Sequence, residues 1–246
     1  MNEKDFYNKV GQVNGWDFSQ VQVTTEAVAW NFYEEVLKRG RSSDILLDIG
    51  TGGGENLLNI ASSFHSLVGI DVSSGMMETA RANLNHSNVS NVSLTQMSSE
   101  KLTFPTESFD LITSCHAPFS AREVVNVLKK GGLFLTQQVS EFDKLNLKAA
   151  FGRGQSFGEK EGSLKERYIN ELEEAGFSDV QSTEYNATEY YHRPEDLIFL
   201  LTHTPIIPEF GERENDFDIL SAFIQENKTE IGIRTNAKRF MIVAQK

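Results

Sequence analysis

Within Ile45-Leu-Leu-Asp48-Ile-Gly50-Thr51-Gly52-Gly53-Gly54-Glu55, an apolar run ends in four glycines over five positions. Glycines tolerate positive φ and let a ligand approach the backbone without meeting a Cβ. Asp71 follows twenty-one residues after Gly50, at the end of the next apolar run, Leu67-Val-Gly-Ile-Asp71-Val72. At that spacing a carboxylate accepts hydrogen bonds from both ribose hydroxyls of a nucleoside cofactor. The dinucleotide fingerprint Gly-x-Gly-x-x-Gly fails: counted from Gly50 its sixth position is Glu55, and from Gly52 it is Leu57. No Gly-Lys-Ser/Thr follows to make a nucleotide-triphosphate loop. Asp48 puts a second carboxylate at the strand tip, which suits a cationic ligand better than a pyrophosphate. The expected cofactor therefore combines an adenosine-like ribose with positive charge.

These residues need a scaffold that brings strand tips together. From Asp44 the chain alternates apolar runs with helical periodicity: strands over 45–49, 67–72, 92–97, 109–114, 133–139 and 180–185, with helices over 55–64, 75–85, 121–129 and 164–175 between them. Parallel neighbours need long crossovers, so this rhythm predicts an α/β fold. The expected form is a Rossmann-like, doubly wound, mostly parallel seven-stranded sheet with helices on both faces, the last strand being Arg239–Gln245. Thr24 and Thr25 read as the cap of a helix ending at Gly40, on which Ala29, Trp30, Tyr33, Val36 and Leu37 form one face. The glycine-rich stretch 151–163 reads as a surface loop. The insertion 186–228 carries a helix after Pro194 and an amphipathic helix from about Asn215. One domain over 1–246 is expected, with a cofactor core at about 41–185 and 229–246 and a cap from about 1–40 and 186–228.

The chain has 246 residues with 35 acidic and 23 basic side chains, a formal charge of −12. That excess opposes a broad nucleic-acid footprint, which needs clustered Lys and Arg, without excluding a local basic patch. The single cysteine, Cys115, precludes an internal disulfide or a Cys-based zinc site, and no metal is expected. The start lacks a basic region leading into an apolar stretch, and no run approaches a membrane span. A cytoplasmic location without membrane contact is expected.

The region resembles the class I S-adenosylmethionine-dependent methyltransferases, in particular the branch with small-molecule enzymes of ubiquinone and menaquinone biosynthesis. Asp48-x-Gly50-x-Gly52-x-Gly54 matches the family's first motif, and Asp71 its acid after the second strand. Ser99 to Ile112, Val127-Leu-Lys-Lys-Gly-Gly132 and Glu174-Ala-Gly-Phe177 match later landmarks in order. The resemblance implies S-adenosyl-L-methionine as cofactor, S-adenosyl-L-homocysteine as product, and a binding set of Asp48, Gly50, Thr51, Gly52, Gly54, Asp71, Val72, Met76, Ser98, Ser99, Glu100 and Ser114. Ser98 stands where the family carries an acid near the adenine amino group, and the stretch after the fourth strand, His116-Ala-Pro118-Phe-Ser-Ala-Arg122, is shorter than in many relatives.

Methyl transfer from a sulfonium is an in-line displacement that positioning and water exclusion accelerate. His116, at the strand-four tip, is the general-base candidate, because an unperturbed histidine takes a proton near neutral pH. Tyr190, Tyr191 and His192 are candidates for the acceptor pocket, and Trp16 and Phe18 for a lid. Cys115 reads as buried packing, and His203 as a helix C-terminal partner. The acceptor is expected to be a small molecule. RNA or protein acceptors, a non-catalytic cofactor-binding protein and an oxidoreductase are the competing readings, and clustering of Arg122, Lys129, Lys130, Arg153 and Lys165 around the pocket mouth would favour an RNA or protein acceptor.

Overall fold

A computed structural model describes residues 3–14 and 17–246, so Trp16 lies outside the described residues. The chain opens with helix α1 (Glu3–Asn14), strand β1 (Val23–Glu26) and helix α2 (Phe32–Arg39). The alternating core follows: β2 (Ile45–Ile49), α3 (Glu55–Ile60), β3 (Ser66–Asp71), α4 (Ser74–His86), β4 (Val92–Gln96), β5 (Phe109–Cys115), α5 (Ala121–Val127) and β6 (Leu128–Val139). The last part comprises α6 (Leu145–Phe151), α7 (Ser163–Ala175), β7 (Ser178–Tyr191), α8 (Pro194–His203), α9 (Asp216–Asn227) and β8 (Ile233–Gln245).

The strands form one sheet in the order β1-β7-β8-β6-β5-β2-β3-β4. Strands β4, β3, β2, β5 and β6 run parallel, β8 is antiparallel to β6 and β7, and β1 is antiparallel to β7. The doubly wound α/β sheet is as expected, with β2 to β8 as its seven strands and β1 added at the edge. After β2 the chain adds β3 and β4 on one side, then crosses to place β5 on the other. The carboxyl ends of β2 and β5 thus flank the switch point where such sheets bind ligands.

Side-chain alternation explains the layers. Leu47, Ile112, Phe134 and Ile242 face α5 and α7 in one buried cluster, while their neighbours Leu46, Leu111, Leu135 and Met241 face α2 and α3 in the other. A third cluster joins α6, α8 and α9 to Tyr191 and Ile233 at the far end of the β7–β8 ribbon. No helix among the described residues is long and apolar enough to cross a membrane.

Four expectations are corrected. Thr24 and Thr25 do not cap a helix: they pair with Tyr190 and Glu189 in the edge strand, a place that suits β-branched residues. The helix instead starts at Phe32, where the Asn31 side chain accepts hydrogen bonds from the Tyr33 and Glu34 N–H groups at 3.0 and 3.2 Å. Strand β7 continues to Tyr191 rather than stopping at Tyr185, because β8 pairs with it along that length. Phe151 closes α6 and is buried among the cap residues, so the loop begins only at Gly152.

Candidate functional site

The glycine loop leaves β2 with Gly50, Gly52 and Gly54 at φ +73°, +57° and +78°. A Cβ on Gly50 would stand 2.2 Å from the Ala117 Cβ, so only glycine lets the two strand tips approach this closely. Both the Gly50 and Thr51 N–H groups donate to the Ile70 carbonyl, which ties the loop to the tip of β3. The loop turns directly into α3, with Gly54 as its N-cap.

A cavity of about 250 Å³ opens above these tips. Gly50, Thr51 and Gly52 line it from the loop, Asp71, Val72 and Met76 from the β3–α4 junction, and Ser98, Ser99 and Glu100 from the segment after β4. His116, Ala117 and Pro118 close the side after β5, and Tyr7 and Tyr33 reach in from α1 and α2. Residues separated by more than a hundred positions thus meet at one ligand edge.

Asp71 is half-buried and receives the Gly52 N–H at 3.0 Å on one oxygen and the Ser73 N–H at 2.8 Å on the other. The N-cap of α4 is Ser73, whose hydroxyl accepts from the Met76 N–H, so Asp71 is not consumed as a cap. Burial holds its carboxyl above the usual aspartate value, against the opposing backbone hydrogen bonds. Asp48 lies beneath the loop, outside the cavity lining, and is 1% exposed. Burial raises its pKa to about 6, although the Thr113 hydroxyl donates to it at 2.7 Å. No basic side chain forms an ion pair with either aspartate among the described residues. The Thr51 hydroxyl, also at the cavity, is buried and makes no hydrogen bond of regular geometry, although it stands close enough to Asp48 to help lower that carboxyl's pKa.

Gly54 and Ser114 also stay outside the lining. Ser114 is fully buried and donates to the Ala117 carbonyl at 2.9 Å, holding the loop that carries His116. Burial, with Arg239 the next contributor, lowers the His116 pKa to about 3. Proton acceptance near neutral pH, the role expected of it, is therefore opposed by its surroundings. Cys115 is likewise poorly ionisable, since burial and then Asp48 push its thiol up to about 12. Its place in the cavity wall is nonetheless one that sequence reasoning assigned to packing.

Tyr190, Tyr191 and His192 are not brought to this cavity. They belong to the β1–β7 edge: Tyr191 is buried and its hydroxyl donates to Glu189 at 2.9 Å, and the His192 ring meets the Thr24 hydroxyl at 2.8 Å. Phe18 packs edge-on against Phe199 of α8, away from the cavity lining. His203 stacks on Phe199 and hydrogen-bonds its carbonyl at 2.8 Å, close to the C-terminal role expected. Tyr7, Tyr33, Met97 and Ala117 were missed. For Tyr33 the available signal was its place on the apolar face of α2, which says that it packs but not against what.

Residues 46–132 match the family described as a methyltransferase domain. The matched stretch holds the glycine loop, Asp71, the Ser98–Glu100 segment and His116. Residues 46–132 are thus those of a methyltransferase domain. The uncharacterized methyltransferase YcgJ of Bacillus subtilis is 35% identical over 102 residues, covering 39% of this chain and 40% of YcgJ. The ubiquinone/menaquinone biosynthesis C-methyltransferase UbiE of Pseudomonas paraeruginosa is 33% identical over 130 residues, covering 47% of this chain and 48% of UbiE. The matches thus span less than half the length of either curated relative. The crystal structure of Bacillus subtilis YcgJ shares the fold over 87% of this chain and 97% of its own, with a TM-score of 0.59 at 23% identity. The matched stretch thus contains the parallel strands β2 to β5 with the glycine loop, Asp48 and Asp71 that sequence reasoning had placed together.

Proposed function

We propose that the protein transfers a methyl group from S-adenosyl-L-methionine to a small-molecule acceptor, releasing S-adenosyl-L-homocysteine. The observation that carries this reading is the pair of aspartates, Asp48 and Asp71, set, without a basic partner among the described residues, under and beside a glycine loop. A cationic nucleoside answers both features, since positive charge stabilises the carboxylates and the open glycine backbone admits it closely. In this reading Gly50, Thr51 and Gly52 cradle the methionine portion, with Gly54 and Asp48 shaping the turn from behind. Asp71 accepts the ribose hydroxyls. Val72 and Met76 pack the nucleoside, and Ser98, Ser99 and Glu100 border the adenine.

S-Adenosylmethionine supplies an electrophilic methyl on a sulfonium. The chain's own contribution is to orient the partners and exclude water, and Tyr7, Tyr33 and the loop from His116 to Pro118 wall the side toward which an acceptor approaches. Among the described residues no lysine or arginine lines the cavity. Lys129 pairs with Asp110, Arg153 with Asp216 and Lys165 with Glu184, and none of Arg122, Lys129, Lys130, Arg153 or Lys165 lines the cavity. This supports a small acceptor over RNA.

Calorimetric titration should show saturable binding of S-adenosylhomocysteine and none of a nicotinamide dinucleotide at equal concentration. Preference for the dinucleotide would replace this reading with an oxidoreductase. Incubation with labelled S-adenosylmethionine and separate metabolite and RNA pools should label the metabolites; label confined to RNA would sink the small-molecule assignment.

A further inference from the structure

The tip of β5 holds a polar relay that the assignment above leaves without a role. His116 adopts a left-handed backbone with φ +57°, uncommon for a residue with a side chain. Its N–H donates to the Gln137 carbonyl at 2.8 Å, and its ring Nε2 lies 3.1 Å from the Gln137 side-chain nitrogen. The Gln137 side-chain oxygen in turn receives the Trp30 indole N–H at 2.8 Å. An indole nitrogen can only donate, so the partner atom on Gln137 must be its oxygen. The amide nitrogen is thereby turned toward His116, and because an amide nitrogen can only donate, Nε2 must accept. In a neutral imidazole whose Nε2 accepts, the proton sits on Nδ1. Burial and the charge of Arg239 keep the ring neutral, lowering its pKa to about 3. The ring lines the cavity, Nδ1 has no hydrogen-bond partner among the described residues, and it is not among their fully buried unpartnered atoms.

We propose that His116 presents a fixed Nδ1–H donor to an oxygen atom of the methyl acceptor, with Gln137, held by Trp30, as the residue that sets the tautomer. The proposal rests on the methyltransferase reading above and names the acceptor chemistry: a phenolate- or enolate-type oxygen. A neutral amine has one lone pair, and a donor that engages it blocks attack on the methyl. An anionic oxygen has lone pairs to spare, so one can accept from His116 while another, or the conjugated carbon, faces the methyl. Thiolates share that property but accept hydrogen bonds weakly. His116 thus orients and stabilises an oxyanion that arrives ionised, instead of removing its proton.

Nitrogen-15 NMR of histidine-labelled protein should show His116 protonated on Nδ1 alone across pH 5.5–8, with or without S-adenosylhomocysteine. An Nε2–H tautomer, or protonation of both nitrogens within that range, would overturn the proposal. Gln137→Met removes the donor to Nε2, so the tautomer should no longer be held on Nδ1; Trp30→Phe, which frees the amide to flip, should give mixed tautomers. Unchanged Nδ1–H in both folded variants would end the positioning role of Gln137. With S-adenosylhomocysteine bound, 4-nitrophenolate is the probe. His116→Phe should weaken its binding by about 10- to 150-fold, the equivalent of one hydrogen bond to a charged group, whereas His116→Asn, which keeps an N–H near the same place, should stay within about threefold. Absent phenolate binding, or equal affinity in both variants, overturns the acceptor class. Loss of S-adenosylhomocysteine binding to the wild-type protein would count against the cofactor reading alone, since the tautomer is read without it.

Discussion

The parallel and antiparallel halves of the sheet treat buried acids in opposite ways. In the antiparallel half and its cap most deeply placed carboxylates have a cation: Asp143 pairs with Arg239, Glu189 with Lys144 and Asp216 with Arg153, while Glu141 is held by the Ser163 hydroxyl and the Gly162 and Leu164 N–H groups. Asp143 and Asp216 are held below the ordinary aspartate value despite burial. At the parallel tips Asp48 and Asp71 have only hydroxyls and backbone N–H groups as partners, and both are shifted upward by burial. A carboxylate paired inside the fold belongs to the architecture. One left without a cation and shifted upward by burial, as Asp48 and Asp71 are, holds an unfavourable charge that a cationic ligand would relieve. The difference sets the two aspartates at the parallel tips apart from the acids paired within the fold.

The contrast breaks most visibly at Arg239. Arg239→Met leaves Asp143 charged and 4% exposed with its ion-pair partner gone, which costs about 3–5 kcal/mol for a broken buried pair. Urea denaturation should show that loss, and a change under about 1 kcal/mol would mean that the pair is not structural. Asp48 tests the other side. Its folded pKa of about 6 lies above the ordinary 3.8, so the neutral form is favoured by folding. The stability it contributes is complete below about pH 4 and is lost as pH rises through 6, a difference on the order of 3 kcal/mol at about 1.4 kcal/mol per pH unit. Ligand-free wild-type protein should gain stability relative to Asp48→Asn as pH falls from 7.5 to 5; parallel profiles would remove Asp48 from the argument.

Asp71→Ala should leave the fold standing and weaken S-adenosylhomocysteine binding by about 10- to 150-fold, the range for a hydrogen bond to a charged group. Unchanged affinity by calorimetry would take the ribose role from this residue. The smallest effect belongs to Lys129. Its pair with Asp110 is 38% and 30% exposed, so Lys129→Ala should change stability by less than about 1 kcal/mol. A larger loss would show that exposed pairs also carry the fold, blunting the distinction drawn here.

Much of the cofactor side was legible because its constraints are local. Gly50, Gly52 and Gly54 have to be glycine for the backbone to turn as it does, and the strand tips that bear Asp48 and Asp71 announce themselves through apolar runs. The alternation of strands and crossovers likewise yields a parallel sheet without reference to any distant residue. Strand β1 was not legible: four residues with two threonines acquire meaning only from the free edge of β7. Tyr190, Tyr191 and His192 were drawn toward the cavity by their residue types, yet the edge pairing with Val23–Glu26 holds them elsewhere.

His116 shows the division most directly. The sequence determines that a histidine follows the β5 strand and therefore stands at the ligand edge. Its protonation state depends on Arg239 from β8, and its tautomer on Gln137 from β6 and Trp30 ahead of α2. Local backbone geometry is written in neighbouring residue types, whereas burial, charge and hydrogen-bond direction are properties of the surroundings that distant segments assemble.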